Sequence, residues 1–401
     1  MSGLSPLRLA LLLAITVALG PLALDTYLPA FPQIASDFNV DLPAVGRTLS
    51  IYVLVLGLAQ LIGGPLSDRY GRRVVLLSGL GIFAVASLVL AGAGSLGSMM
   101  FWRVIQAIGG AWAAVSVPAI VRDRTSGNES ARLFSLIGLI MFVAPAMAPT
   151  IGSLILHFSA WPAIFVMLAV YALLLAITLR AFLFRNLAAA ARTRTPVHTL
   201  VTNYVRVLKN TTAMRFVIMQ TLAFSVLLIF ITHASFIYQD WFGRSNAEFS
   251  ILFAANIVGM VFANLLNRRL LLRFHSAQIL RTALFIQSIA VTALLILVMS
   301  NAGVVATATA IVIAAGCMGT IAPNNIANAL DFFPKQGGTA AALMGAAQFC
   351  IAGLISAVST WLADGTLLPI ALVMAACSTG ALLFGVGAPA AVERAANKPA
   401  G

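Results

Sequence analysis

A rhythm constrains this chain more than any single motif: apolar stretches long enough to cross a bilayer recur twelve times, each closed by a short cluster of charge, Gly, Pro or Asn. A hydrocarbon core about 30 Å thick needs roughly 20 apolar residues of helix at 1.5 Å per residue. The predicted spans are 9–35, 43–66, 73–94, 98–121, 132–157 and 161–184, then 213–239, 248–267, 277–299, 303–328, 339–362 and 367–388. Composition agrees. Only 9% of the 401 residues are charged, 61% are hydrophobic and mean hydropathy is +1.01, whereas a soluble domain is about a quarter charged. These values exclude an ordinary soluble enzyme, a disordered chain and a disulfide-stapled secreted module. They predict an all-α polytopic membrane protein.

Orientation follows from where the bases lie. With the N-terminus inside, 21 of the 24 Lys and Arg fall in cytoplasmic segments, two (Arg47 and Arg244) in outer loops, and Arg103 within a helix. Inner loops carry the Lys/Arg excess in membrane proteins, so both termini are expected to be cytoplasmic. The net charge of +13 is then a topology signal, not a nucleic-acid footprint. The first apolar run continues well past the length of a secretory signal without a small-residue cleavage site, and is expected to remain as helix one. Cys317, Cys350, Cys377 and the four histidines are scattered without metal or redox spacing, so neither a metal nor another cofactor is expected.

The chain divides near its midpoint. Six spans in 1–185 precede a polar stretch at 186–210, and six more follow in 211–401 with a short cytoplasmic tail. Two echoes relate the halves: the basic loop Arg69–Arg73 reappears as Asn267-Arg268-Arg269 through Arg273, and Pro118 has a partner in Pro323. Parallel halves of six spans are how one large class of secondary transporters is built, with substrate held near the midplane.

Within the spans, charge is the exception to be explained. An ionised side chain at a helix centre costs about 2.5–3.5 kcal/mol on the insertion scale, so Asp25 and Arg103 are expected to face a cavity and to do something there. Counting residues from the ends of their helices puts both in the outer half of the bilayer, where pairing is allowed. Burial and a nearby guanidinium act on a carboxyl in opposite senses, and the balance can make Asp25 a proton carrier. A static Asp25–Arg103 pair is the alternative. Gln106, one turn from Arg103, is the polar residue best placed to share its cavity. Most of the other buried polar groups (Gln60, Gln220, Asn256, Asn264, Asn324, Asn325, Asn328 and Gln348) are expected to hydrogen-bond between helices. His233 reads the same way, with a titrating role as the alternative. Pro323-Asn324-Asn325 suggests a broken helix, while Pro145, Pro149 and Gly152 predict a bent, closely packed one. Tyr27, Tyr52, Met141, Phe142, Phe224, Phe236 and Tyr238 are the aromatic and Met candidates for lining a cavity.

Gly64-Pro65-Leu66-Ser67-Asp68-Arg69-Tyr70-Gly71-Arg72-Arg73 is the sharpest local signal. Its glycines suit a tight turn, Asp68 can accept hydrogen bonds or face a helix N-terminus, and the arginines suit the anionic inner leaflet. This decapeptide resembles the loop between helices two and three of the major facilitator superfamily. Leu24-Asp25-Thr26-Tyr27-Leu28-Pro29-Ala30-Phe31-Pro32 resembles the helix-one signature of its drug:proton antiporters, in particular the bicyclomycin/chloramphenicol resistance (Bcr/CflA) branch. Arg103 through Gly110 is similar to the helix-four basic motif, and Ala144 through Gly152 to the helix-five antiporter motif, with Ala107 and Ala148 where the family carries Gly. All four matches lie in the first half.

That resemblance implies a twelve-helix major facilitator fold, two pseudo-symmetric six-helix bundles, in a bacterial inner membrane. It implies a proton-coupled exporter of small amphipathic molecules such as phenicols or bicyclomycin-like drugs, working by alternating access as a monomer. Its partners are then substrate, protons and the lipid bilayer. Asp25 and Arg103 would couple protons; Asp25, Tyr27, Arg103, Gln106, Met141, Phe142 and Phe224 would bind substrate. Gly64, Asp68, Arg69, Gly71, Arg72, Arg73, Pro145, Pro149 and Gly152 would gate, with Asp68 meeting the start of helix eleven near Gly337-Gly338-Thr339. The proton gradient suffices as fuel: one charge moved through 100 mV is worth about 2.3 kcal/mol, and no Walker-type phosphate loop appears. Export of one metabolite, a purine, nucleoside or sugar, is the rival reading. An intramembrane enzyme would need a nucleophile–base pair or metal ligands, and the spacing offers neither.

Overall fold

A computed structural model describes residues 6–124, 127–184, 209–330 and 337–386, and their ordered structure is helical throughout. In chain order the helices are α1 (Pro6–Asp25), a 3-10 turn (Leu28–Ala30), α2 (Phe31–Phe38), α3 (Leu42–Tyr70), α4 (Arg72–Ala91), α5 (Leu96–Arg124), α6 (Gly127–Phe158) and α7 (Pro162–Thr178). The second half contributes α8 (Thr211–Ser235), α9 (Asn246–Leu270), α10 (Ser276–Met299), α11 (Val304–Gly316), α12 (Met318–Leu330), α13 (Gly337–Trp361) and α14 (Leu368–Val386). Short π-helical turns at Leu179–Leu183 and Phe236–Trp241 extend α7 and α8. Eleven spans among the described residues are long and apolar enough to cross a membrane. α6, apolar over Val143–Phe158, supplies the twelfth crossing. The expected linker at 186–210 lies outside the described residues except for Lys209 and Asn210.

The chain clusters into two compact units, one of Met1–Val197 with Ser245–Ile251, the other of His198–Arg244 with Leu252–Gly401. Within each, the spans bury one stripe and turn large apolar side chains outward, as with Leu173 and Ile296 at 55% and 61% exposure. A soluble protein would expose such patches only for a partner; here the acyl chains of the bilayer are the partner.

Proline and glycine decide where spans stop. α1 ends at Asp25 because Pro29 has no N–H to return to the Asp25 carbonyl, and Pro32 none for Leu28. The chain turns at Thr26-Tyr27 and resumes as α2, so the first span is two helices in series. Between α3 and α4 the whole turn is Gly71, at φ +93° and ψ 148°, a conformation that only glycine adopts without strain. Gly64 lies inside α3 with open space where a Cβ would point, so the turn of this loop rests on one glycine, not two. In the first unit α4 and α5 cross at Gly79 and Gly109, each of which would drive a Cβ into the other's carbonyl.

One sequence expectation about proline is corrected. Pro145 and Pro149 lie inside α6, which runs on to Phe158. The interruption in the tenth span is at Cys317, between α11 and α12, and not beside Pro323, which lies inside α12. Pro323 cannot donate to Gly319, and the side-chain amide of Asn264 donates to that carbonyl instead, at 3.0 Å. Membrane helices tolerate proline when a neighbour satisfies the freed carbonyl in this way.

Candidate functional site

The break after α1 leaves Asp25, Thr26 and Tyr27 inside the first unit, at 4%, 0% and 0% exposure. α5 brings up Arg103 and Gln106, both fully buried, and α3 contributes Thr48 and Tyr52. Arg103 Nη1 donates to the Ala23 carbonyl at 3.1 Å and to Gln106 Oε1 at 2.6 Å. Gln106 Nε2 donates onward to Ser87 Oγ (2.8 Å), and Ser87 Oγ to the Phe83 carbonyl (2.7 Å). The amide orientation of Gln106 is thereby fixed, since its oxygen faces a cation and its nitrogen a committed hydroxyl.

The guanidinium is also sandwiched. Its Cζ lies 4.5 Å from the Tyr27 ring centroid and 4.2 Å from that of Tyr52. Tyr27 in turn packs against Phe31 and Phe165, and its hydroxyl meets Thr48 Oγ1 at 3.1 Å. Thr48 gives its only hydroxyl hydrogen to the Val45 carbonyl, so Tyr27 is the donor in that pair.

Magnitudes show how a buried Arg103 persists. Burying an unpaired charge costs several kcal/mol. Two charge-assisted hydrogen bonds return about 1.5–3 kcal/mol each, and two desolvated cation–π contacts about 2 kcal/mol each. These contacts offset much of that cost without any carboxylate. Consistently, Arg103 turns to the Ala23 carbonyl rather than to the Asp25 carboxylate, whose Oδ1 has no hydrogen-bond partner. The static Asp25–Arg103 pair that the sequence left open is not formed. Asp25 Oδ1, Thr26 Oγ1, Tyr52 OH, and Nε and Nη2 of Arg103 are all buried without hydrogen bonds. Each such group costs about 1–3 kcal/mol. Several gathered beside one helix break are a reservoir of unused hydrogen-bonding capacity.

α6 closes over this break. A Cβ on Gly152 would overlap the Thr26 carbonyl oxygen and lie 2.9 Å from its carbon, so the backbones of α6 and the α1 break touch. Gly152, from the helix-five motif, therefore meets the residue next to Asp25. Pro145 is half-buried and Pro149 buried on the same helix.

Other expected residues stand elsewhere. In the 64–73 loop, Arg72 Nη1 donates to Ser67 Oγ at 3.1 Å, Arg69 stacks on Tyr70 at 5.5 Å, and Arg73 is exposed. The side chains of Asp68, Met141 and Phe142 lie outside the described residues, as do those at Gly337–Thr339. Phe224 belongs to the second unit and packs edge-on against Phe349, with centroids 5.6 Å apart. That unit joins α8 to α13 through Gln220–Gln348 (3.1 Å), Thr232–Ser356 (2.7 Å) and His233–Ser359 (3.0 Å). His233 is thus a hydrogen-bonded interhelical residue. Asn256 donates to the carbonyls of Leu252 and Phe253 in its own helix and also has Tyr238 as a side-chain partner.

Sequence reasoning named Tyr52 only as one aromatic among several and passed over Thr48 and Ser87. Nothing in one-dimensional spacing points to them, because helix packing brings Tyr52 to Arg103, Thr48 to Tyr27 and Ser87 to Gln106.

A helical membrane protein with spans interrupted at buried polar residues has the build of a secondary transporter. The sequence pattern of the Major Facilitator Superfamily matches residues 13–357, and the chain belongs to that family: it is a multi-pass membrane transporter of small molecules, not an enzyme. It is 29% identical to a bicyclomycin resistance protein homolog of Haemophilus influenzae, over 92% of each chain. It is 37% identical to a chloramphenicol resistance protein of Pseudomonas aeruginosa, over 37% of this chain and 36% of that one. Its fold resembles the crystal structure of a D-xylose–proton symporter with a TM-score of 0.75, at 14% identity, over 94% of this chain and 96% of that one.

Proposed function

We propose that this transporter is a proton-coupled exporter of small amphipathic molecules, of the kind for which its resistance-named relatives are called, and that Asp25 carries the proton. One observation supports the reading above the rest. A buried carboxyl with a free Oδ1 sits at a helix break, beside a guanidinium that is stabilised by aromatic rings and carbonyls instead of by that carboxyl. An acid without a fixed counter-charge can exchange its proton without dismantling an ion pair. Arg103, with Tyr27, Tyr52 and Gln106, offers the neighbouring polar surface for substrate. Met141, Phe142 and Phe224 remain proposed substrate contacts.

Alternating access then works through the α1 break and its crossing with Gly152, the Gly71 turn with Asp68, Arg69, Arg72 and Arg73, and the prolines of α6. The domains are 1–185 and 211–401 joined by a cytoplasmic linker, the chain works as a monomer, and both termini face the cytoplasm of a bacterial inner membrane. Coupled to 100 mV, one charge supports roughly a fifty-fold gradient.

Transport of phenicol and bicyclomycin-type drugs by everted vesicles, measured against pH, tests this. Asp25→Asn is expected to abolish uptake driven by an imposed proton gradient, with the protein still present in the membrane. Unchanged proton-driven transport in that variant removes Asp25 from the coupling role.

A further inference from the structure

The second unit carries an apolar groove of about 510 Å³ between α9, α10 and the α11–α12 span. Phe262, Leu266, Phe274, Ile286 and Ile313 line it and are all exposed, Phe262 at 67%. Its deep end is closed where Gly259 meets Val312 and Gly316, at 3.1–3.2 Å from where their Cβ atoms would stand. Its mouth is at Leu270, the last residue of α9, and Phe274, in the short connection to α10. From Gly259 to Leu270 is about 16 Å of helix, close to the ~15 Å hydrocarbon depth of one leaflet.

Polar groups of the groove are already engaged. The Thr282 hydroxyl returns to the Gln278 carbonyl, that of Thr320 to the Ala263 carbonyl, and Gln278 Oε1 accepts from the His275 N–H. At the mouth the chemistry reverses. Arg269 and Arg273 are exposed at that end, and the sequence holds no Asp or Glu between Glu248 and Asp331.

We propose that this groove binds an anionic glycerophospholipid, one acyl chain along α9 and α10 and the phosphate between Arg269 and Arg273. A slot one leaflet deep fits the chain, and a wholly basic mouth fits the headgroup. A zwitterionic lipid fits worse, since its ammonium would meet two guanidiniums and no carboxylate. That the leaflet is the inner one rests on the orientation proposed above; the site itself does not.

The full-length protein, reconstituted with equal amounts of phosphatidylglycerol and phosphatidylethanolamine and then analysed by native mass spectrometry, tests the proposal. Wild type is expected to retain phosphatidylglycerol over phosphatidylethanolamine by about tenfold, as two near-surface guanidiniums allow. Arg269→Gln with Arg273→Gln should bring that preference close to parity. Thr282→Trp should lose the retained lipid with both arginines intact. Matched thermal unfolding separates a blocked groove from a damaged fold; if Thr282→Trp melts early, Ile286→Trp blocks the same wall. Parity in wild type, or a preference that survives both changes, overturns the proposal. So does a two-chain assembly without lipid that Thr282→Trp dissociates, or displacement of the lipid by chloramphenicol. These readouts need neither gradient nor transport, so they fail independently of the coupling assignment.

Discussion

Replacing Gly152 by alanine adds one methyl group at the tightest crossing of the first unit. That methyl would overlap the Thr26 carbonyl oxygen and stand 2.9 Å from its carbon, with Pro29 Cδ a further 3.5 Å neighbour. The obstacle is backbone, so no rotamer change relieves it, and α6 must withdraw from the α1 break. Overpacking of this kind costs about 1–3 kcal/mol, with a backbone obstacle at the upper end. For a unit of this size that lowers the melting temperature by on the order of 5–10 °C. Gly20→Ala is the control: it lies in α1 with nothing within 4 Å of its Cβ, and alanine is the better helix former by ~1 kcal/mol. Thermal unfolding of the purified proteins, with drug resistance of cells expressing each, reads both effects. Gly152→Ala is expected to melt early and confer no resistance, Gly20→Ala to match or exceed wild type. If Gly152→Ala melts with wild type and confers full resistance, the inferred backbone contact and its role in gating are both wrong.

Arg103→Lys keeps the charge but loses the planar face between Tyr27 and Tyr52; transport should fall at least about tenfold, since each desolvated cation–π contact is worth ~2 kcal/mol. Tyr52→Phe removes a buried hydroxyl that has no hydrogen-bond partner and should stabilise the protein by about 1–3 kcal/mol in thermal unfolding. Tyr52→Ala, which removes the stacking ring as well, should cost ~3 kcal/mol or more by the same assay. Gly71→Ala forces a side chain to φ +93° and should destabilise by roughly 1–3 kcal/mol, measured as earlier melting with α3 and α4 still helical by circular dichroism.

The sequence by itself determined the crossings and the residues that demand explanation. Twelve apolar runs of bilayer length leave few alternatives, because a span must satisfy its backbone internally and hide its charges. That logic singled out Asp25 and Arg103 inside apolar helices, but it read 9–35 as one run, and only the structure stops the first helix at Asp25. What surrounds those charges was decided only by tertiary packing. Helix periodicity says that Arg103 and Gln106 share a face, but not that Tyr52 from α3 covers the guanidinium or that Ser87 from α4 anchors the amide. Likewise Pro323 was visible, yet the Asn264 amide that replaces its missing donor comes from a helix more than fifty residues away, and the break itself falls at Cys317. Contacts of this kind depend on how two helices are rotated about their own axes, which a single chain's spacing does not encode.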